Sequence, residues 1–256
     1  MNTHLWIQHF HSNRSQFTEP SLPPDGCAFP HGTKGALRES LAIFQLGESG
    51  GGTRLMKYVR RVVSADRLAG YEEAVALFIA EEQYHARLLA RTVEYMGGTC
   101  LERQWSNSVF RWLRNHFGVE FNIQILLIAE LIAEVYFGLL YRKSGDATLR
   151  TVCHKLLSDE MRHIAFHTEF LRERLEAMPR WWRVLWRAQF WICHRVTALV
   201  VAWDHRHCFR ALGVRPVSVA SMAFKTGQRF LRRLSKAQSL WVARPATGTG
   251  MADVCG

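Results

Sequence analysis

The sequence predicts an all-α protein, a four-helix bundle with additional helices at its C-terminal end. Two observations predict this fold class. Apolar residues recur at helical spacing over several long segments, while the Val, Ile and Thr alternation typical of strands is scarce. The 256 residues are also 48% hydrophobic, which suffices for a substantial buried core.

The four bundle helices are predicted at 36–63, 68–96, 119–143 and 147–177. Short turns separate the first two and the last two of these helices, so each pair forms an antiparallel hairpin. A longer crossover, which contains the basic and aromatic segment FRWLRNHF, joins the two hairpins. After Pro179, two more helices are expected, at 180–203 and near 217–242.

The chain divides by composition into an irregular lead-in, the bundle, a basic extension rich in Trp and Arg, and a flexible tail. These stretches span residues 1–35, 36–178, 179–243 and 244–256. Lys and Arg balance Asp and Glu over residues 1–178, so the net charge of +11 belongs to residues 179–256. This asymmetry predicts a neutral body and a basic section suited to an anionic partner.

The six cysteines are dispersed without a close pair, which predicts neither a disulfide framework nor a thiolate zinc site. The first residues lack the basic start and unbroken apolar run of a secretory signal. No stretch reaches the roughly 18 apolar residues of a membrane span. We therefore expect a cytoplasmic protein, with a peripheral location at a membrane left open.

Two Glu-x-x-His motifs are the strongest indication of chemistry: Glu82 with His85, and Glu160 with His163. Residues three apart lie on one face of a helix, about 4.5 Å apart along its axis, so each pair can present an oxygen and a nitrogen to one metal ion. One such motif alone carries little weight, because a chain with 12 histidines contains about one by chance.

Each motif is preceded by a glutamate on an apolar helical face, one hairpin arm earlier. Glu48 lies 34 residues before Glu82, and Glu130 lies 30 residues before Glu160, so all four fall at similar depth in the bundle. Four buried carboxylates are unfavourable unless cations neutralise them, and two divalent ions balance their charge. The candidate metal ligands are therefore Glu48, Glu82, His85, Glu130, Glu160 and His163.

The first hairpin, with GES at 47–49 and GYEEAVALFIAEEQYHARLLARTVEYMGG at 70–98, resembles that of rubrerythrin-type ferritin-like proteins. The DEMRH motif at 159–163 is similar to the Asp-Glu-x-Arg-His form of ribonucleotide reductase small subunits and bacterial multicomponent monooxygenases. The resemblance covers about residues 36–177 and implies a ferritin-like di-iron carboxylate protein, with manganese as an alternative to the two iron ions. It also implies that Asp159 supports His85, and Glu81 could support His163 likewise.

Several residues near the motifs have more than one interpretation. The alternative for the motifs themselves is a pair of solvated surface neighbours, which the apolar surroundings of Glu130 disfavour. Glu134 could be a seventh ligand, but a supporting or rim position is favoured. His167 is expected at the end of the bundle rather than on a metal. Tyr84 and Tyr136 could take part in radical or proton transfer, although packing is favoured.

The function expected from these residues is oxidation of an unknown organic substrate by dioxygen, through hydroxylation, desaturation or N-oxygenation, with an external electron donor. One alternative is iron oxidation or peroxide detoxification of the ferritin or rubrerythrin kind. Against it, the chain has no Cys-x-x-Cys rubredoxin module. Another alternative is a non-enzymatic helical scaffold that binds an anionic membrane or nucleic acid.

The Trp- and Arg-rich segment at 180–203 is ambiguous. Aromatic and cationic residues on an amphipathic helix are typical of membrane interfaces, and an anionic membrane surface could bind residues 179–243. Burial against the bundle or in a homodimer is the favoured interpretation, and nucleic acid is a third.

Overall fold

The computed structural model describes residues 1–50, 52–66, 69–115 and 119–234. Over these residues it has ten helices and no strand, which confirms the predicted all-α class. The helices are α1 Thr3–Gln16, α2 His31–Glu48, α3 Thr53–Asp66, α4 Tyr71–Tyr95, α5 Trp105–Asn115, α6 Val119–Lys143, α7 Ala147–Glu176, α8 Arg180–Asp204, α9 Arg206–Ala211 and α10 Pro216–Leu234. The tail predicted at 244–256 and the last residues of the helix predicted near 217–242 lie outside the described residues.

The bundle is built from α2, α4, α6 and α7, with α6 packed along α7 and α2 along α4. α7 begins after the predicted turn because Asp146 caps it: one carboxylate oxygen accepts the backbone N–H of Leu149 at 2.7 Å. The other oxygen accepts the hydroxyl of Tyr95 at 2.8 Å, which ties this turn to the end of α4. Capping therefore sets the relative depth of the two motif-bearing helices.

α6 is the most apolar helix of the bundle. Residues 120–143 are long and apolar enough to cross a membrane by composition, so the expectation that no stretch qualifies is too strict. Most of this helix is buried inside the protein, and it carries the buried Glu130. It is the central core helix of the bundle.

The prediction of an irregular lead-in is wrong for its first part, because residues Thr3–Gln16 form α1. Trp6 and Phe10, one turn apart, are buried, and the Trp6 indole donates to Glu169 of α7 at 2.9 Å. Burial of two aromatic side chains stabilises a helix whose own pattern is only weakly amphipathic. α1 therefore packs onto the bundle.

The first bundle helix was predicted as one segment over 36–63, but the structure has two helices, α2 and α3. Consecutive glycines at 50–52 separate the two helices. Each glycine makes a helical conformation about 1 kcal/mol less favourable than alanine would. Gly52 adopts a positive φ of 66°, and a Cβ there would lie 2.6 Å from Cγ2 of Ile79. The break leaves Glu48 as the last residue of α2.

The helix predicted at 180–203 is present as α8, and α10 covers the described part of the following one. α8 packs against α10 and α6, and it buries Trp186, Phe190 and His194. The favoured interpretation, burial of the tryptophan-rich segment, is correct for this face only. Trp181 and Trp203, on the opposite side, are exposed.

Candidate metal centre

Both Glu-x-x-His motifs converge in the centre of the bundle. In Glu82, His85, Glu160 and His163, one ligand atom from each residue lies within 4.8 Å of the others. Nδ1 of His163 lies 2.9 Å from Oε1 of Glu82, and Nδ1 of His85 lies 3.5 Å from Oε1 of Glu160. Residues from α4 and α7 thus alternate around one small volume, as the sequence analysis expected.

A carboxylate from the opposite helix holds each histidine in place. Nε2 of His85 lies 2.8 Å from Oδ2 of Asp159, and Nε2 of His163 lies 2.8 Å from Oε2 of Glu81. The supporting contact predicted for Asp159 is confirmed, and so is the one suggested for Glu81. With each Nε2 engaged, the Nδ1 atoms face the interior of the cluster, and such contacts fix the tautomer of a metal-binding imidazole.

Two further residues, Asn13 and Lys155, join these supporting carboxylates. The Asn13 amide of α1 donates to Glu81 and also to Oδ1 of Asp159, the latter at 2.9 Å. Nζ of Lys155 donates to the same Oδ1 at 2.8 Å. Sequence reasoning missed both residues. Asn13 continues the face of Trp6 and Phe10 at helical spacing, and Lys155 precedes Asp159 by one turn, so the signals were present.

Glu48 reaches the centre from the C-terminal end of α2. It lies close enough to Glu82 to hydrogen-bond it, and burial together with the Glu82 and Glu160 carboxylates raises the pKa of Glu48 well above its usual range. Glu48 therefore lies near Glu82, as predicted, although α2 ends at Glu48.

Glu130 lies on α6 beside His167 rather than within the group of four. Oε1 of Glu130 is 3.0 Å from Nε2 of His167, and both residues are buried. Burial raises the pKa of Glu130, and the neighbouring His167 and His163 partly offset this. The placement of His167 at the end of the bundle is wrong: it follows His163 by one turn on the same face of α7, which turns it inward.

The charges of the centre compensate one another only in part. Burial would raise the pKa of Glu82, but His163 outweighs it and lowers that pKa to about 2. Burial would likewise lower the pKa of His85, whereas Asp159 and Glu160 raise it to about 10. Without metal, protons on the two imidazoles and on Glu48 thus neutralise part of the carboxylate charge, which metal cations would otherwise neutralise.

The residues present fit a pair of divalent metal ions. Several buried atoms that face the interior form no well-oriented hydrogen bond, although some of them lie within ion-pair distance of one another: Oε1 of Glu82, Nδ1 of His85, Oε1 of Glu160, Nδ1 of His163 and both oxygens of Glu130. Buried polar atoms without partners are costly, and a cation satisfies all of them together. A set of carboxylates and imidazoles without thiolate suits iron or manganese.

A cavity of about 240 Å³ lies beside the centre. Glu48, Glu82, Glu130 and Glu160 all line it, so the carboxylates form one end of its wall. Most of the remaining wall is apolar and comes from six helices, with Ile43, Phe44, Leu55, Phe78, Phe110 and Leu126 among its residues. An apolar cavity of about 150 Å³ can hold a benzene ring, so this one can hold a substituted ring next to the carboxylates.

The remaining candidates lie outside the group. Burial raises the pKa of Glu134. The positive charges of Arg229 and Arg233, both on α10, lower the same pKa, so Glu134 lies on the side of the bundle that faces α10. Tyr136 stacks on Phe44 with ring centroids 3.9 Å apart, and its hydroxyl pairs with Ser40 at 2.7 Å, in keeping with the favoured packing role. Tyr84 is only half-buried.

A helical bundle whose interior collects carboxylates and two Glu-x-x-His motifs defines the class of ferritin-like di-metal carboxylate proteins. Residues 54–241 match the profile of one family of this class, described as P-aminobenzoate N-oxygenase AurF. Since the match spans more than half of the chain, the protein belongs to this family of di-iron oxygenases and is an enzyme. Comparison with curated proteins and with solved structures found no match. Glu48 precedes the matched residues.

Proposed function

We propose that the protein oxidises an apolar organic amine by N-oxygenation or hydroxylation, in the cavity beside a di-iron centre. The proposed iron ligands are Glu48, Glu82, His85, Glu130, Glu160 and His163. The observation that carries the proposal is that all four carboxylates of this set line one end of a cavity whose remaining wall is mostly apolar. When bound, iron supplies the electrons that reduce dioxygen, and an external electron donor restores them.

The chain's own residues position the reaction and keep water out. Asp159 and Glu81 hold the two imidazoles from behind, so their Nδ1 atoms stay directed at the centre. Phe44, Phe78 and Phe110 line the cavity, where an apolar ring can pack against them. The mostly apolar wall also limits the access of water to the carboxylate end of the cavity.

Reconstitution with ferrous iron tests the proposal. The full-length protein is expected to bind about two iron ions per chain and to transfer one oxygen atom from labelled dioxygen to a ring-bearing amine, detected by mass spectrometry. The Glu82→Ala and Glu160→Ala variants should lose both iron and activity, whereas Glu94→Ala, at an exposed position of α4, should keep them. Binding of fewer than about one iron ion per chain would refute the proposal.

The cavity wall further suggests that the substrate is uncharged or cationic. Among the described residues that line it there is no Lys or Arg, whereas its polar groups include Asp204 and the four glutamates. Burial lowers the pKa of the remaining basic residue, His205, to about 3, so it is neutral. The p-aminobenzoate named for the family carries a carboxylate, which would lie unpaired against this wall at a high cost.

Two candidate substrates of nearly equal shape distinguish an uncharged substrate from one that carries a carboxylate. We expect 4-aminobenzamide to bind and turn over at least about tenfold better than 4-aminobenzoate, because only the latter brings a buried negative charge. The variant Thr197→Lys, which places a cation on the cavity wall, should narrow this difference. Equal or better turnover of 4-aminobenzoate by the unmodified protein would show that the wall does not select by charge.

A further inference from the structure

The outward face of α8 exposes a continuous row of large apolar side chains, which we call the α8 apolar face. Its members recur at helical spacing along one side: Trp181, Val184, Leu185, Ile192, Val196, Leu199 and Trp203. Val184 is 66% exposed and Trp203 63%. The helix has 25 residues, so the face extends over roughly 35 Å. Soluble monomers rarely expose an apolar surface of this length unless it has a binding partner.

The α8 apolar face continues onto α5 and surrounds the entrance to the cavity. The Trp105 indole donates to Oδ1 of Asp204 at 3.2 Å, and the Gln104 amide donates to Oδ2 at 3.1 Å, so the start of α5 is tied to the end of α8. Trp105 and Val109 are exposed, and both line the cavity together with Val196. The cavity therefore opens between α5 and α8, on the apolar surface, and ends at the carboxylates.

The charge around this face argues for an anionic partner. Residues 180–234 contain 11 Lys and Arg but a single acidic residue, Asp204. The guanidinium of Arg195 lies 4.0 Å from the centre of the Trp191 ring and 4.5 Å from that of Phe224 on α10, which holds a cation at the edge of the face. A second copy of the chain would bring equal positive charge to this surface, and that disfavours a homodimer through it.

The distribution of aromatic residues along α8 matches a lipid interface. Trp181 and Trp182 lie at its start, Trp191 near its middle and Trp203 at its end, all exposed, and exposed Val, Leu and Ile side chains lie between them. Tryptophan is enriched at the boundary between lipid headgroups and acyl chains, and arginine beside it attracts anionic headgroups. A helix with an apolar face and basic flanks lies flat in this boundary.

We propose that the α8 apolar face docks on an anionic phospholipid bilayer, and that the cavity takes an apolar substrate directly from it. The docking stands independently of the metal chemistry, whereas delivery of a substrate rests on the proposed function. In the docked state, the apolar side chains at the rim contact lipid instead of water. An apolar molecule can then pass from the acyl region of the bilayer to the carboxylates without crossing the aqueous phase.

Vesicle sedimentation with the full-length protein tests the docking, with or without iron. The probes are vesicles of phosphatidylcholine alone and vesicles that also contain phosphatidylglycerol. We expect binding to the anionic vesicles that weakens with salt and is at least about tenfold weaker on pure phosphatidylcholine. Lack of binding to anionic vesicles at low salt, or capture of RNA without capture of vesicles, would overturn the proposal.

Two matched variants locate the contact. Leu199→Glu, within the α8 apolar face, should weaken vesicle binding at least about tenfold, whereas Leu101→Glu, at another exposed leucine, should not. Ile192→Glu repeats the test at a second position, and melting temperatures confirm that each variant folds. Unchanged vesicle binding in both face variants would overturn the proposal. So would light scattering that shows a dimer in the unmodified protein and a monomer in Leu199→Glu. Failure of iron binding alone would leave vesicle binding unaffected.

Discussion

At the scale of single residues, the candidate centre depends as much on what lies behind the histidines as on the histidines themselves. Asp159 and Glu81 each hold one imidazole at 2.8 Å, and Asn13 links these two carboxylates from another helix. This connected arrangement directs Nδ1 of both rings inward before any metal arrives. Preorganisation of this kind reduces the cost of ordering ligands when iron binds.

Glu81→Gln tests that support. The variant keeps the shape of the side chain but weakens its contact with His163, so we expect affinity for ferrous iron to fall about 10- to 100-fold. Anaerobic titration with iron measures the effect. Glu94→Gln, an exposed change of the same kind on the same helix, provides the control. Equal affinity in Glu81→Gln and the unmodified protein would contradict a positioning role.

Two buried histidines outside the centre make stability depend on pH. Burial lowers the pKa of His205 to about 3, and burial with Arg195 lowers that of His194 to about 4. In the unfolded chain a histidine titrates near pH 6.5, so below that pH only the unfolded state takes up the proton. The contribution of these two histidines to the free energy of unfolding should therefore be largest above pH 6.5. It should fall by about 1.4 kcal/mol per pH unit for each histidine as the pH drops toward 4.

Urea unfolding at several pH values, with the metal-free protein, checks this dependence. In His205→Gln the slope between pH 6.5 and 4 should decrease by about 1.4 kcal/mol per pH unit, since one of the titrating groups is gone. His4→Gln, an exposed change, should leave the slope as it is. An unaltered slope in His205→Gln would show that His205 is not neutral in the folded protein.

At the scale of helices, two departures from the predicted pattern shape the centre. α1 delivers Asn13 to the supporting carboxylates, and the break between α2 and α3 makes Glu48 a helix-terminal residue. At the break, Gly52 has a positive φ and packs against Ile79 of α4. Only glycine meets both conditions without strain. Gly52 therefore allows the break between α2 and α3, and this break places Glu48 at the end of α2.

Gly52→Ala should therefore be harmful. A Cβ at this position would lie 2.6 Å from Ile79 and would adopt an unfavourable φ, so we expect a loss of about 1–3 kcal/mol in the free energy of unfolding and weaker iron binding. Gly50→Ala is the matched control, because a Cβ there meets nothing within 4 Å. Denaturant unfolding and iron titration of both variants give the comparison. Equal stability of the two would mean that the break tolerates a side chain.

At the scale of the whole molecule, one apolar cavity connects a surface between α5 and α8 with the carboxylates in the core. The neutral bundle supplies the candidate ligands, and the basic C-terminal helices cover the bundle on one side and expose apolar side chains on the other. The buried carboxylate and imidazole atoms of the centre that lack hydrogen bonds are costly to the folded state until cations bind them. Metal binding and global stability should therefore be linked.

Ferrous iron should raise the melting temperature. At a free concentration about 100 times the dissociation constant, one site adds about 2.7 kcal/mol, which corresponds to roughly 5–10 °C for a chain of this size. Anaerobic thermal unfolding with and without iron measures the shift. The double variant Glu82→Ala and Glu160→Ala should melt at the same temperature in both conditions. A shift of equal size in this variant would indicate iron bound elsewhere.

Local patterns in the sequence sufficed to predict the helices α4, α6, α7 and α8 and the convergence of the two Glu-x-x-His motifs. Long apolar periodicity and capping are local properties, and residues three apart share a face of any helix. The same reasoning failed for α1 and for His167. α1 is held by the burial of Trp6 and Phe10 against other helices, and the inward direction of His167 depends on the packing of α6 against α7.

By itself, the sequence determined the helical class, the convergence of the two Glu-x-x-His motifs, and the concentration of positive charge at one end of the chain. Only the tertiary structure decided the link through Asn13, the pairing of Glu130 with His167, the cavity and the exposure of the α8 apolar face. The physical reason is that spacing along a helix specifies which residues share a face. Which face is covered depends on contacts between residues far apart in the chain.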